Sequence, residues 1–208
     1  MNTPTSRLLF RIARMRIIVS RIFAILVVLL AIFTAPSFKQ GSWPDILLET
    51  SGLFLLTVCS MGRLWALLYI SGHKKIELIM EGPYSIVRHP LYVFSLIGAV
   101  GIGLASENII VLGVLVIFYL LYYPLTIFVE EKKLVAEFGQ AYLDYIKRVP
   151  RFLPKLSLYR SPSQFVVNAD IFLKNMVAGM WFFWIFIALD FIESLQQNGC
   201  IPVFLKVP

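Results

Sequence analysis

Five apolar runs, at residues 17–33, 46–70, 91–106, 109–129 and 176–192, alternate with short polar segments along the chain. A helix needs about 20 mostly apolar residues to cross about 30 Å of hydrocarbon. The pattern therefore predicts an all-α fold, a polytopic membrane helix bundle of about five transmembrane helices. The third run is short and carries Gly98, Gly101 and Gly103. Small residues let helices approach closely, so it reads as a span packed tightly against its neighbours, with a re-entrant segment as the alternative. No repeat or low-complexity linker interrupts the chain, which reads as one integral membrane domain over residues 1–208.

Two polar segments stand out. Residues 71–90, SGHKKIELIMEGPYSIVRHP, join the second and third runs; residues 130–160 follow the fourth. In the latter, Leu134, Phe138, Tyr142 and Tyr145 recur at helical spacing, so the fourth span continues as, or turns into, an amphipathic interfacial helix. Val149-Pro150 and Leu153-Pro154 stop it.

Composition agrees: 59% of the 208 residues are apolar, and mean hydropathy is +0.80. With the N-terminus inside, all but Lys39 and Lys206 of the 19 basic residues fall in cytoplasmic segments or near the inner end of a span. That asymmetry predicts a multi-pass protein with a cytoplasmic N-terminus. The net charge of +7 is then a topology signal and an affinity for the anionic membrane surface, with no nucleic-acid partner required. The Arg-rich start followed by an apolar run also fits a cleaved signal peptide, but the run with its flank is long enough to span, which favours an uncleaved first helix. Cys59, Cys200, His73 and His89 are too scattered for a structural zinc site, and no metal is expected.

The stretch EGPYSIVRHPLYVF places a polar turn against the third span. Gly82-Pro83 reads as a turn, and Pro90 suits the first position of a helix, so the span should start there. A helix N-terminus with Arg88 beside it suits an anion. The plainer explanation is an interfacial turn with a snorkelling Arg and interface tyrosines Tyr84 and Tyr92. Glu130 and Glu131 lie near the inner end of the fourth span, where a helix C-terminus disfavours acids. They serve either cation recognition or local pairing with Lys132, Lys133 or a basic residue of the 71–90 loop. Together the two segments give an anion site and a cation site on one cytoplasmic rim, which fits a zwitterionic cofactor. Arg63 near a span end reads as snorkelling, and Asp190 and Glu193 have no evident partner.

GPYSIVRHPLY followed by EEKKLVAEFGQAYLDYIKRVPRFLP resembles the isoprenylcysteine carboxyl methyltransferase and phospholipid methyltransferase superfamily, over about residues 60–154. The resemblance implies an S-adenosylmethionine-dependent methyltransferase that takes its cofactor from the cytosol and methylates a membrane lipid or lipidated small-molecule acceptor. It assigns cofactor binding to Ile76, Glu77, Leu78, Ile79, Tyr84, His89, Pro90, Leu91, Tyr92 and Glu130. Arg88 and Glu131 fall at or next to the cofactor as the candidate catalytic pair, with Glu131 or Glu130 as base for an amine or hydroxyl acceptor. Leu134, Phe138, Gly139, Tyr142 and Tyr145 would shape a lid. One departure stands out: where prenylcysteine enzymes carry an Arg for the substrate carboxylate, this chain has Thr126. Competing expectations are a sterol-reductase-like enzyme using NADPH and a non-catalytic membrane scaffold.

Overall fold

A computed structural model describes residues 19, 22–23, 25–36, 41–71, 77–164, 167–203 and 205–207. Residues 25–33 of the first apolar run are helical. Arg7, Arg11, Arg14, Arg16 and Arg21, like His73, Lys74, Lys75 and Ile76, lie outside the described residues. After a short strand β1 (Thr34–Pro36) come helix α1 (Trp43–Ile70), a four-residue helix α2 (Pro83–Ile86) and helix α3 (Pro90–Ala105). Helices α4 (Ile109–Phe138), α5 (Gln140–Arg148), α6 (Ala169–Gly179) and α7 (Trp181–Gln197) follow. A strand β2 (Leu205–Val207) then pairs in parallel with β1, Thr34 opposite Leu205.

Among the described residues, three helical stretches are long and apolar enough to cross a membrane: α1, α4 and the nearly continuous Ala169–Gln197 formed by α6 and α7. At 1.5 Å per residue the 28 residues of α1 reach about 42 Å and the 30 of α4 about 45 Å. The fourth span continues unbroken well past Val129 to Phe138. It ends at Gly139, whose φ of 53° is left-handed, and α5 then sets off in a new direction. The last helical stretch begins earlier than hydropathy suggests, because the Asn168 side chain accepts the Ile171 N–H at 3.0 Å and caps a polar first turn.

Helix α3 starts at Pro90, as the sequence predicts, and has only 16 residues, about 24 Å. It is apolar throughout, which suits a helix surrounded by protein. Its main partner is α1, and the closeness of that pair rests on glycine. A Cβ on Gly52 would lie 2.7 Å from the Gly101 carbonyl oxygen and 2.5 Å from the Ala105 nitrogen. Both contacts are to backbone, so no side-chain rotation relieves them. Leu56 and Ile102 are buried at this contact together with Ala31 and Leu189, forming the apolar centre of the bundle. A second cluster of Tyr142, Tyr145 and Val149 packs with Leu78, Leu134 and Phe138 beneath the polar segments. Large apolar side chains such as Phe54, Met61, Leu121, Leu125 and Trp184 point outward, where lipid would cover them.

Replacing Gly52 with Val should lower stability by about 1–3 kcal/mol through overpacking against backbone. Gly113 has open space around it, so Gly113→Ala should not lower stability. Thermal unfolding of the two variants in detergent checks this; equal behaviour would contradict the close α1–α3 contact.

Candidate functional site

The polar segments meet where α3 begins and α4 emerges. Gly82, at φ 58°, turns the chain into α2, and a Cβ there would overlap the Tyr69 ring. Residues 82–88 are then strapped by the segment after α5. The Gly82 N–H donates to the Arg160 carbonyl at 2.7 Å, the Arg88 N–H to Pro150 at 2.9 Å, and the Lys155 N–H to Ile86 at 2.9 Å. The Tyr145 hydroxyl donates to the Tyr84 carbonyl at 2.7 Å. The backbone that carries Arg88 and His89 is thereby fixed on both sides.

Adjacent on α4, Glu130 and Glu131 face different surroundings. Glu131 is buried, with its side chain 11% exposed. It accepts from Arg88 Nη1 at 2.8 Å, lies 3.1 Å from His89 Nε2, and pairs with Arg151 through Nε at 3.1 Å and through Nη2. Burial alone would disfavour this carboxylate, and the three partners offset that cost. Glu130 instead lines a cleft and accepts the Tyr92 hydroxyl at 2.7 Å on one oxygen.

That cleft holds about 930 Å³ of empty space, counting the part open to solvent. Of the residues expected at the cofactor, Glu77, Leu78, Ile79, Tyr84, His89, Pro90, Leu91, Tyr92 and Glu130 all line it, as does Arg88. Ile76 lies outside the described residues. Leu134, Phe138, Tyr142 and Tyr145 line it too, whereas Gly139 is exposed and does not. The Tyr142 hydroxyl is buried at the cleft beside the Arg88 side chain. Burial, and next the Glu131 charge, push this phenol up to about 12, and burial raises Tyr145 likewise, so both stay neutral donors.

Arg88 and Glu131, the expected catalytic pair, bond to each other. The Arg88 guanidinium, expected to offer its charge to an anion, donates from Nη1 to Glu131 and also lines the cleft. Glu131, expected as a base alongside Glu130, is engaged by Arg88, His89 and Arg151 and does not line the cleft. Arg63 does not reach the cleft: its Nη1 donates to Ser95 Oγ at 2.5 Å, and its guanidinium lies 5.5 Å from the Phe182 ring centre. Thr126 donates to the Tyr122 carbonyl of its own helix. Sequence reasoning missed Arg151, Lys133 and Glu137. Arg151 looked like one more interfacial cation, and only the turn after Val149-Pro150 brings it back onto Glu131.

The phospholipid methyltransferase family pattern matches residues 47–141. The chain is 37% identical over 198 residues to the nickel-cobalt-cadmium resistance protein NccN of Alcaligenes xylosoxydans xylosoxydans, covering 95% of this chain and 90% of that protein. It is 36% identical over 162 residues to the cobalt-zinc-cadmium resistance protein CzcN of Cupriavidus metallidurans, covering 78% and 74%. No solved structure matches it. This chain belongs to the phospholipid methyltransferase family, within the superfamily that includes the isoprenylcysteine carboxyl methyltransferases.

Breaking the Glu131 cluster should be costly. Glu131→Gln leaves Arg88 and His89 buried without their counter-charge and should cost about 2–4 kcal/mol. Arg151, whose side chain is 45% exposed, should cost about 1 kcal/mol or less as Arg151→Ala. Unfolding midpoints in detergent measure both; the reverse order would contradict Glu131 as the centre of the cluster.

Proposed function

We propose that this chain is an S-adenosylmethionine-dependent methyltransferase acting on a lipid or lipid-attached acceptor, with its cofactor bound in the cleft between the 77–92 segment and α4–α5. The observation that carries this is the joining, in one cleft, of Glu130 with its Tyr92 hydrogen bond, the buried Tyr142 hydroxyl and the start of α3. The donor set suits the cofactor: Glu130 is an anion for a cationic group, and the backbone N–H groups at the start of α3 suit a carboxylate. Lys133 and Arg88, which also line the cleft, bring positive charge for an anionic group. When bound, S-adenosylmethionine supplies an electrophilic methyl group.

The residues of this chain align, enclose and dry the reacting groups. Alignment lowers the entropic part of the barrier, and a site set at a membrane surface excludes water. Leu134, Phe138 and Tyr142 form the apolar wall over the cleft. For an amine or hydroxyl acceptor a proton must leave, and Glu130, with one oxygen free of the Tyr92 bond, is the better placed of the two glutamates. A carboxylate acceptor is disfavoured, because Thr126 and Arg63 are both tied within the bundle and offer it no counter-charge. The cytoplasmic orientation rests on the positive-inside distribution of basic residues.

The names of two full-length relatives favour a further reading of the setting. NccN and CzcN are named for resistance to nickel, cobalt, cadmium and zinc. We infer that this chain works in the same setting, modifying a membrane component in cells under metal stress.

Membranes containing the protein, incubated with methyl-labelled S-adenosylmethionine, should yield label in the extracted lipid fraction. Glu130→Ala should reduce incorporation by about 100-fold or more, since it removes both a cofactor contact and the candidate base. Label confined to protein, or full incorporation by Glu130→Ala, would overturn the assignment.

A further inference from the structure

At the end of the bundle away from the cleft, separated from it by the length of α3, three acidic side chains converge from three elements. Asp45 lies in the first turn of α1, Glu107 in the turn between α3 and α4, and Glu193 near the end of α7. One carboxylate oxygen from each lies within 4.8 Å of the others. Asp45 and Glu107 are only 6% and 5% exposed. Glu49, one turn further along α1, adds its negative potential. Among the described residues, no Lys, Arg or His pairs with any of the three.

Repulsion alone should drive such groups apart, so something must hold them together. Asp45 accepts the Gly41 N–H on Oδ2 at 2.7 Å. Glu107 is different: its Oε2 is buried and receives no donor from outside the cluster, and its carboxyl meets that of Asp45. Buried carboxyl groups in contact are satisfied either by a shared proton or by a bound cation in its place. The fixed polar surroundings also favour a prepared site. The Asn108 side chain caps α4 and donates to Thr34 Oγ1 at 2.7 Å, while the Gln196 amide donates to the Ala31, Ile32 and Thr34 carbonyls. These bonds hold the Glu107 turn and the end of α7 in place.

We propose that Asp45, Glu107 and Glu193 form a divalent-cation site at the bundle end opposite the cofactor cleft. Two oxygens on opposite sides of an ion at about 2.4 Å are about 4.8 Å apart, so the spacing admits one shared ion. Three carboxylates with water completing the shell suit hard cations such as Mg²⁺, Ca²⁺ or Mn²⁺, and a site without His or Cys selects weakly among metals. Co²⁺ should therefore compete well, following the general order of affinities for oxygen sites. The bound ion would tie the start of α1 to the α3–α4 turn and to α7. The scarcity of His and Cys gave no hint of such a site in the sequence, since its ligands are 62 and 86 positions apart and all carboxylates.

Protein in nanodiscs, freed of metal with chelator, is titrated with Co²⁺ while visible absorption and thermal unfolding are followed. The expected result is saturable binding of one equivalent, a rise in Tm of several degrees at saturation, and displacement by excess Mg²⁺. Glu107→Gln keeps the side-chain volume and relieves repulsion, so it should fold. It should weaken Co²⁺ binding by about 10–100-fold and remove the Tm rise. Glu193→Gln, at a less buried position, should act in the same direction and serves if the first variant folds poorly. S-adenosylmethionine binding in both variants should match the wild type, which separates this site from the cleft. Absence of saturable Co²⁺ binding, or unchanged affinity in both variants, would overturn the proposal.

Discussion

A carboxylate that has lost most of its water gathers the donors within its reach, and Glu131 holds Arg88, His89 and Arg151. With Glu131 itself these residues come from three stretches of chain: the turn before α3, the helix α4, and the segment after α5. Separating Glu131 from Arg88 would leave charge in a low-dielectric setting, which is costly. The cluster therefore fixes the angle between the start of α3 and the end of α4. The cleft lies between those elements, and its shape follows from that angle.

The same arrangement separates the roles of two neighbouring glutamates. Consecutive helix positions point about 100° apart, so Glu130 and Glu131 cannot share one environment. Glu131 turns into protein and becomes the anchor, while Glu130 turns into the cleft and meets Tyr92. Tyr92 is held in its turn, because the Tyr119 hydroxyl donates to its carbonyl and the Tyr123 ring packs edge-on against its own at 5.4 Å. A chain of aromatic contacts thus links the cleft to the apolar part of α4.

Much of this was legible in the residues. The apolar runs located α1, α3 and α4 closely, because lipid demands long uninterrupted helices. Pro90 marked the first residue of α3, and the motif positions from Glu77 to Tyr92 fall around one cleft. What depended on long-range geometry was not legible. Nothing in the local pattern shows that Pro150 returns Arg151 to Glu131, or that Arg63 would be used between α1 and α3 and not at a substrate. Pairing of adjacent acids with either a cofactor or a nearby basic residue stood as alternatives in the sequence. The fold realises the second for Glu131, and the Glu130 position leaves the first open to it. Likewise Asp45, Glu107 and Glu193 are unremarkable singly, and only packing of three helix ends brings them together.

The central claim is that the cleft built around Glu130 recognises S-adenosylmethionine. Its most direct test is equilibrium binding to the purified protein in nanodiscs, with NADPH as the competing cofactor. The account predicts one saturable equivalent of S-adenosylmethionine, displaced by S-adenosylhomocysteine, and no saturable binding of NADPH. Saturable NADPH binding without S-adenosylmethionine binding would contradict it, as would the absence of binding by either.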